Sequence, residues 1–228
     1  ELSIAFILGI LILILLLIIF IVFVEKGQRR LPVQYPKRQV GNKIYGGQSS
    51  HLPLKINTAG VIPPIFASSI LLLPVTAMSI NAGNGPDWLL NVTSLLGRGQ
   101  PLYMLLYVSA IVFFAFFYTS VVFSAKDTAD NIKNNGGFVP GIRPGDATAD
   151  YIDFILTRLT VIGSIYLSAV CLLPELLISR YSVPFYLGGT SLLIVVTVTM
   201  DTVAQVHSHL IAHQYEGLIK KAKLRGRI

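Results

Sequence analysis

The sequence predicts an all-α, polytopic membrane protein: a bundle of five transmembrane helices. Three observations carry this. The first is composition. The 228 residues are 53% hydrophobic and only 13% charged, about half the charged share of an average soluble domain. The second is clustering. From Leu2 to Val24 no residue is charged, and only Ser3 and Gly9 interrupt the apolar run. A buried helix of a soluble core rarely stays apolar past about 14 residues, whereas a bilayer span needs about 20. The third is the distribution of Lys and Arg between successive loops. Together they exclude an ordinary soluble domain, a disordered chain and a disulfide scaffold. The lone cysteine, Cys171, forms no intrachain disulfide and no cysteine-based zinc site.

The spans are expected at about 2–24, 59–79, 102–124, 151–173 and 184–206. The first is too long for a secretory h-region, has no basic flank before it and no small-x-small site after it, so it is not a signal peptide. The chain begins at Glu1 and not at Met, which predicts a fragment or a processed product. The second span falls in Ile56–Pro86, a stretch without charge. Pro101 opens the third at a favourable helix start. Asp153 and Arg158 lie near the start of the fourth, which is expected to end at Pro174, and Asp201 near the end of the fifth. Backbone groups in hydrocarbon must be satisfied within each segment, so these are helices. The period-2 alternation of a membrane barrel is absent.

Charge orients the bundle. Loop 25–58 holds seven Lys and Arg residues, loop 125–150 three and the tail 207–228 five, against one each in loops 80–101 and 174–183. The positive-inside rule makes the rich segments cytoplasmic. The N-terminus of this stretch is then outside and its C-terminus inside, as five spans require. Topology and attraction to anionic lipid account for such a bias. So does a docking surface for an acidic or nucleic-acid partner. The length of loops 25–58 and 125–150 favours ordered, functional loops with turns projecting from the membrane, since loops beyond about 15 residues are usually functional or disordered.

Several residues are unusual for membrane helices. The second span carries Pro63, Pro64 and Pro74 beside a small-residue face of Ala59, Gly60, Ala67, Ser68 and Ser69. This reads either as a kinked, tightly packed helix or as a mobile gate helix. Asp153, Arg158 and Asp201 are within snorkelling reach of the interface. An Arg158–Asp201 pair between adjacent helices is an open alternative. His209 and His213 would share a helix face, but no carboxylate or cysteine completes a ligand set, and no metal site is expected. Asn91-Val92-Thr93 matches a glycosylation acceptor. The basic residues from Lys220 to Arg227 read as a solvated tail. No nucleophile elbow, P-loop, dinucleotide fingerprint or HExxH is present, so no enzyme and no cofactor is expected.

Four stretches carry a pattern: FVEKGQRRLPVQYPKRQVG (Phe23–Gly41), SSHLPLKINTAGVIPPIFASSI (Ser49–Ile70), GGFVPGIRPGDATADYI (Gly136–Ile152) and VPFYLGGTSLLIVV (Val183–Val196). In residue types and order they closely resemble the SecY family of protein-translocation channels, over essentially the whole chain. The resemblance implies the C-terminal half, spans six to ten, of a ten-helix pseudo-symmetric channel. That channel passes unfolded preproteins across the bacterial plasma membrane and releases membrane segments laterally into it. It implies as partners the N-terminal half of the channel, the small subunits SecE and SecG, the SecA motor ATPase, the ribosome, the preprotein with its signal sequence, and lipid. Arg143 then matches a partner-docking loop arginine, and Lys43, with Arg38 and Lys37, the basic tip of loop 25–58. Ile65 and Ile194 match members of the apolar pore ring, and Ser68 and Ser69 small polar positions of the lateral gate.

The physics of the residues agrees with such a ring. Ile65 would sit roughly 10 Å, and Ile194 roughly 16 Å, into its span at 1.5 Å per residue, within the middle third of a ~30 Å core. Branched aliphatic side chains there offer ions no ligand and resist wetting. Half of a secondary transporter is the alternative reading. It requires polar ligands at the midplane of broken helices, for which Ser68 and Ser69 are the candidates.

Overall fold

The computed structural model describes residues 4–36, 38–40, 43–45, 49–80, 97, 99–181 and 188–225. Helix α1 (Ile4–Lys26) leads through Gly27 into strand β1 (Gln28–Gln34). Two short strands follow, β2 (Arg38–Val40) and β3 (Lys43–Tyr45), and then β4 (Ser49–Lys55). Helix α2 is Ile62–Ile80, α3 Pro101–Val122, α4 Ala125–Asn134, α5 Asp146–Tyr181 and α6 Gly189–Arg225. Of these, α1, α3, α5 and α6 are long and apolar enough to cross a membrane, and α2 contributes a shorter apolar stretch, Ile62–Pro74.

The helices form one apolar layer. On α3 the buried residues Tyr103, Tyr107, Ile111, Ala115 and Thr119 recur every fourth position, a single ridge along one helix face. Ala67 and Leu71 of α2 pack against it, and Phe66 stacks on Phe114 with ring centroids 5.8 Å apart. Tyr166, Leu167, Val170 and Cys171 of α5, with Leu193 and Val196 of α6 and Ile21 of α1, complete the core. Gly189 lies so close to α5 that a Cβ there would come within 2.7 Å of the Cys171 Cα, so only glycine permits that approach.

A second layer closes over one end of the bundle. β1 and β4 pair antiparallel with Leu31 opposite Leu52. In β1, Leu31 and Val33 face inward while their neighbours face out, the period-2 signature of a half-buried strand. Pro32 and Pro53 are tolerated because in a two-stranded sheet both strands are edges. Helix α4 starts at Ser124, whose hydroxyl accepts the Asp127 N–H at 3.2 Å. It ends in a Schellman turn: Gly136 (φ 75°) donates to the Lys133 carbonyl and Gly137 to that of Ile132. Leu31, Val33, Leu54, Ala129, Ile132, Val139, Ile152, Ile155, Leu156 and Leu159 form the core of this layer.

The structure revises several expectations. Loop 25–58 holds β-structure, and loop 125–150 begins with a helix. Helix α5 does not stop at Pro174 but runs through it to Tyr181. Helix α6 begins at Gly189, not 184, and its backbone stays helical through Arg225, so the basic tail is largely an extension of that helix. Residues 182–187 lie outside the described residues, as does the Asn91-Val92-Thr93 acceptor. Helix α2 begins at Ile62, after Gly60 in the left-handed region (φ 64°). Pro63 and Pro64 therefore occupy its first turn, where a missing N–H costs nothing. Only Pro74 lies inside the helix.

Candidate functional site

The two long loops are joined. Gln34 and Phe138 exchange both backbone hydrogen bonds, each 2.9 Å, so the segment after α4 adds onto the outer edge of β1. Their contact places both loops at one end of the bundle. Arg143 is exposed on this unit, between Gly141 (φ 84°) and Gly145 (φ 109°). Its carbonyl accepts the Thr148 hydroxyl at 2.9 Å, which pins the turn to the start of α5. The exposed Arg143 side chain is thus carried on a backbone turn fixed to the start of α5. Arg38 and Lys43 lie on the paired strands β2 and β3, with Arg38 opposite Tyr45 and Lys43 opposite Val40. Lys37 lies outside the described residues.

In the apolar layer, Ile65 is 38% exposed on α2 and Ile194 is half-buried on α6. They sit on different helices: α2 packs on α3, and α6 on α1 and α5. Ser68 and Ser69 share the Ile65 face. Both hydroxyls donate back to the Ile65 carbonyl, at 3.0 and 2.8 Å. Their protons are spent inside α2, which weakens the transporter reading that relied on them as ligands.

The remaining polar candidates also resolve. Arg158 lies over the Phe154 ring, 4.1 Å from its centroid, a cation–π contact within α5, and among the described residues no ion pair links it to Asp201. His207 and His209 are exposed on α6. Among the described residues no group of three His, Cys, Asp or Glu side chains is placed to hold a metal.

Sequence reasoning missed one polar cluster. At the end of α1, the Glu25 carboxylate accepts the Asn57 side-chain N–H at 2.7 Å and the Tyr166 hydroxyl at 3.4 Å. The same Asn57 nitrogen donates to the Gly60 carbonyl at 3.1 Å. The signal was present: a carboxylate directly after 23 nearly unbroken apolar positions, and an Asn before a Gly that opens a helix.

These features define a class, a helical membrane bundle capped at one end by a basic, ordered unit built from two loops. Comparison with known proteins sharpens the class. The SecY family model matches residues 1–203. Over 227 residues, 99% of this chain and 51% of the relative, the chain is 55% identical to a protein translocase subunit SecY of Pseudomonas aeruginosa. Over 206 residues, 90% of the chain and 46% of the relative, it is 57% identical to the subunit of the same name from Escherichia coli K12. A solved SecY structure, from work on its plug domain and closed state, superposes with a TM-score of 0.57 at 16% identity, covering 89% of this chain and 50% of that one. A protein-conducting channel superposes with a TM-score of 0.56 at 16% identity, covering 87% and 48%. The chain belongs to the SecY family, and it spans about half the length of the curated relatives it matches.

Proposed function

We propose that this chain forms one half of a protein-conducting channel, passing unfolded preproteins across a bacterial plasma membrane and membrane segments sideways into the bilayer. The observation that carries it is the 55% identity over 227 residues with a protein translocase subunit, which runs through helices and loops alike. In this reading the five helices are spans of the channel's C-terminal half. The basic unit faces the cytoplasm, so that the stretch starts outside and ends inside. Ile65 and Ile194 belong to the apolar ring, completed by residues of the N-terminal half. Helix α2, with Ser68 and Ser69, is one wall of the lateral gate. Arg143, with Lys43, Arg38 and Lys37, docks the partner that drives transport, the SecA motor or the ribosome, and SecE and SecG flank the channel. The channel is passive, and the partner supplies the energy.

A ring residue is the sharpest test. Ile194→Asn in the full-length channel puts an amide where a dewetted seal is needed. Resting ion conductance in reconstituted bilayers is expected to rise, with easier passage of preproteins bearing defective signal sequences. Wild-type conductance and discrimination would remove the ring assignment.

A further inference from the structure

The connection from β4 to α2, residues 56–60, is held from three sides. From the link after α1, the Gly27 carbonyl accepts the Ile56 N–H at 3.1 Å, and a Cβ on Gly27 would lie 2.5 Å from the Ile56 Cδ1. From α5, Gly163 approaches so closely that a Cβ would lie 3.1 Å from the Ile56 carbonyl oxygen and 3.7 Å from the Asn57 Cα. From within, the Asn57 side chain, 5% exposed, uses its amide hydrogens on Glu25 and on the Gly60 carbonyl. Farther along, α2 packs on α3 through Ala67, Leu71 and Phe66, but at its entry Gly60 is left-handed, and Pro63 and Pro64 bring no N–H to the first turn. A buried amide must keep its partners, so the entry of α2, the end not held by packing on α3, depends on the acceptor that Asn57 finds in Glu25. The hydroxyls of Thr58 and Thr119, also at this junction, are buried without a hydrogen-bond partner among the described residues, so the seam holds polar groups that gain partners if it opens to water.

We propose that Glu25 is a positioning residue for α2: its carboxylate, through Asn57, holds this helix in the arrangement seen here and so keeps the channel shut at rest. The inference rests on the reading of α2 as a wall of the gate. Glu25 touches no substrate. It acts through Asn57, and Tyr166 aims its carboxylate.

The test uses the full-length channel, purified and reconstituted, with two readouts: resting ion conductance, and transport of a preprotein with a defective signal sequence. Glu25→Leu keeps bulk but offers no acceptor, and both readouts are expected to rise severalfold. Glu25→Gln keeps an acceptor oxygen and is expected to stay near wild type, which loss of packing alone would not produce. Asn57→Ala, which also loses the bond to the Gly60 carbonyl, is expected to leak at least as much as Glu25→Leu, and the double variant to leak less than the sum of the two, since both remove the Glu25–Asn57 bond. Should Glu25→Leu fail to accumulate in membranes, Asn57→Ala decides by the same readouts. Wild-type behaviour of an assembled Glu25→Leu channel, equal leak from Glu25→Gln and Glu25→Leu, or additive effects in the double variant would each overturn the proposal. Ile194→Asn separates the two levels: if it leaks and Glu25→Leu does not, only the role of Glu25 falls, and if neither leaks, the ring assignment falls with it.

Discussion

The apolar bundle and the capping unit solve the same problem in opposite ways. In the capping unit, inward positions are apolar and outward ones polar: Leu31 and Val33 are buried between exposed neighbours, and α4 buries only Ala129 and Ile132 along an otherwise polar helix. In α1, every face is apolar. Leu17 and Ile21 are buried, while Leu8, Leu11, Leu15 and Leu16 are each more than half exposed. Hydrophobicity therefore selects the inner face in one region and says nothing about it in the other. Where the surroundings are hydrocarbon, burying a leucine against protein gains no transfer free energy. Close approach and hydrogen bonding decide instead, through Gly189 against α5, Ala67 and Ala115 in the core, and the aromatic contact of Phe20 with Tyr166 at 5.8 Å.

The contrast can be broken most forcefully at Leu31. It is 4% exposed, and Leu31→Asp puts an unpaired carboxylate in an aliphatic core, a cost of several kcal/mol. The capping unit is expected to lose its protease resistance in membranes while the helices still insert. Unchanged resistance would mean that this core does not hold the unit together.

Arg143→Glu acts on the outside of the same unit. The side chain is exposed, so the fold is expected to survive. Motor-driven export in a vesicle assay is expected to fall about tenfold or more, the scale of one lost charged contact turned repulsive. Near-normal export would remove the docking role.

Within the bundle, the effects should separate by burial alone. Ile111 is fully buried at the centre of the α3 ridge, and Ile111→Ala is expected to cost about 1–3 kcal/mol, the cavity term without the transfer term. Leu15 is 59% exposed on α1, and Leu15→Ala is expected to change stability by roughly 0–0.5 kcal/mol. Thermal or denaturant unfolding in detergent measures both. Equal losses would show that α1 is buried more deeply than it is here.

Much of the fold is legible in the order of the residues. The helix starting at Pro101 and the first apolar run through Val24 follow from length and composition, since a membrane leaves the backbone few alternatives. The two basic loops stand out by their charge, and in the structure the Gln34–Phe138 pairing joins them. The paired strands leave a fainter trace. Leu31 and Val33, then Leu52 and Leu54, alternate at period 2, but beside prolines that argue against a strand. Pro174 misleads, because a proline inside a long helix is tolerated when neighbouring helices hold the segment.

By itself the sequence determined the class of the protein and where its long apolar runs fall. Each of these depends on a sum over many residues, such as total apolarity or run length. The tertiary structure alone decided which face of α1 turns inward, that two loops form one unit, and that Glu25 meets Asn57 and Tyr166 across 32 and 141 residues of chain. Those outcomes depend on individual contacts between distant segments, which no local pattern encodes.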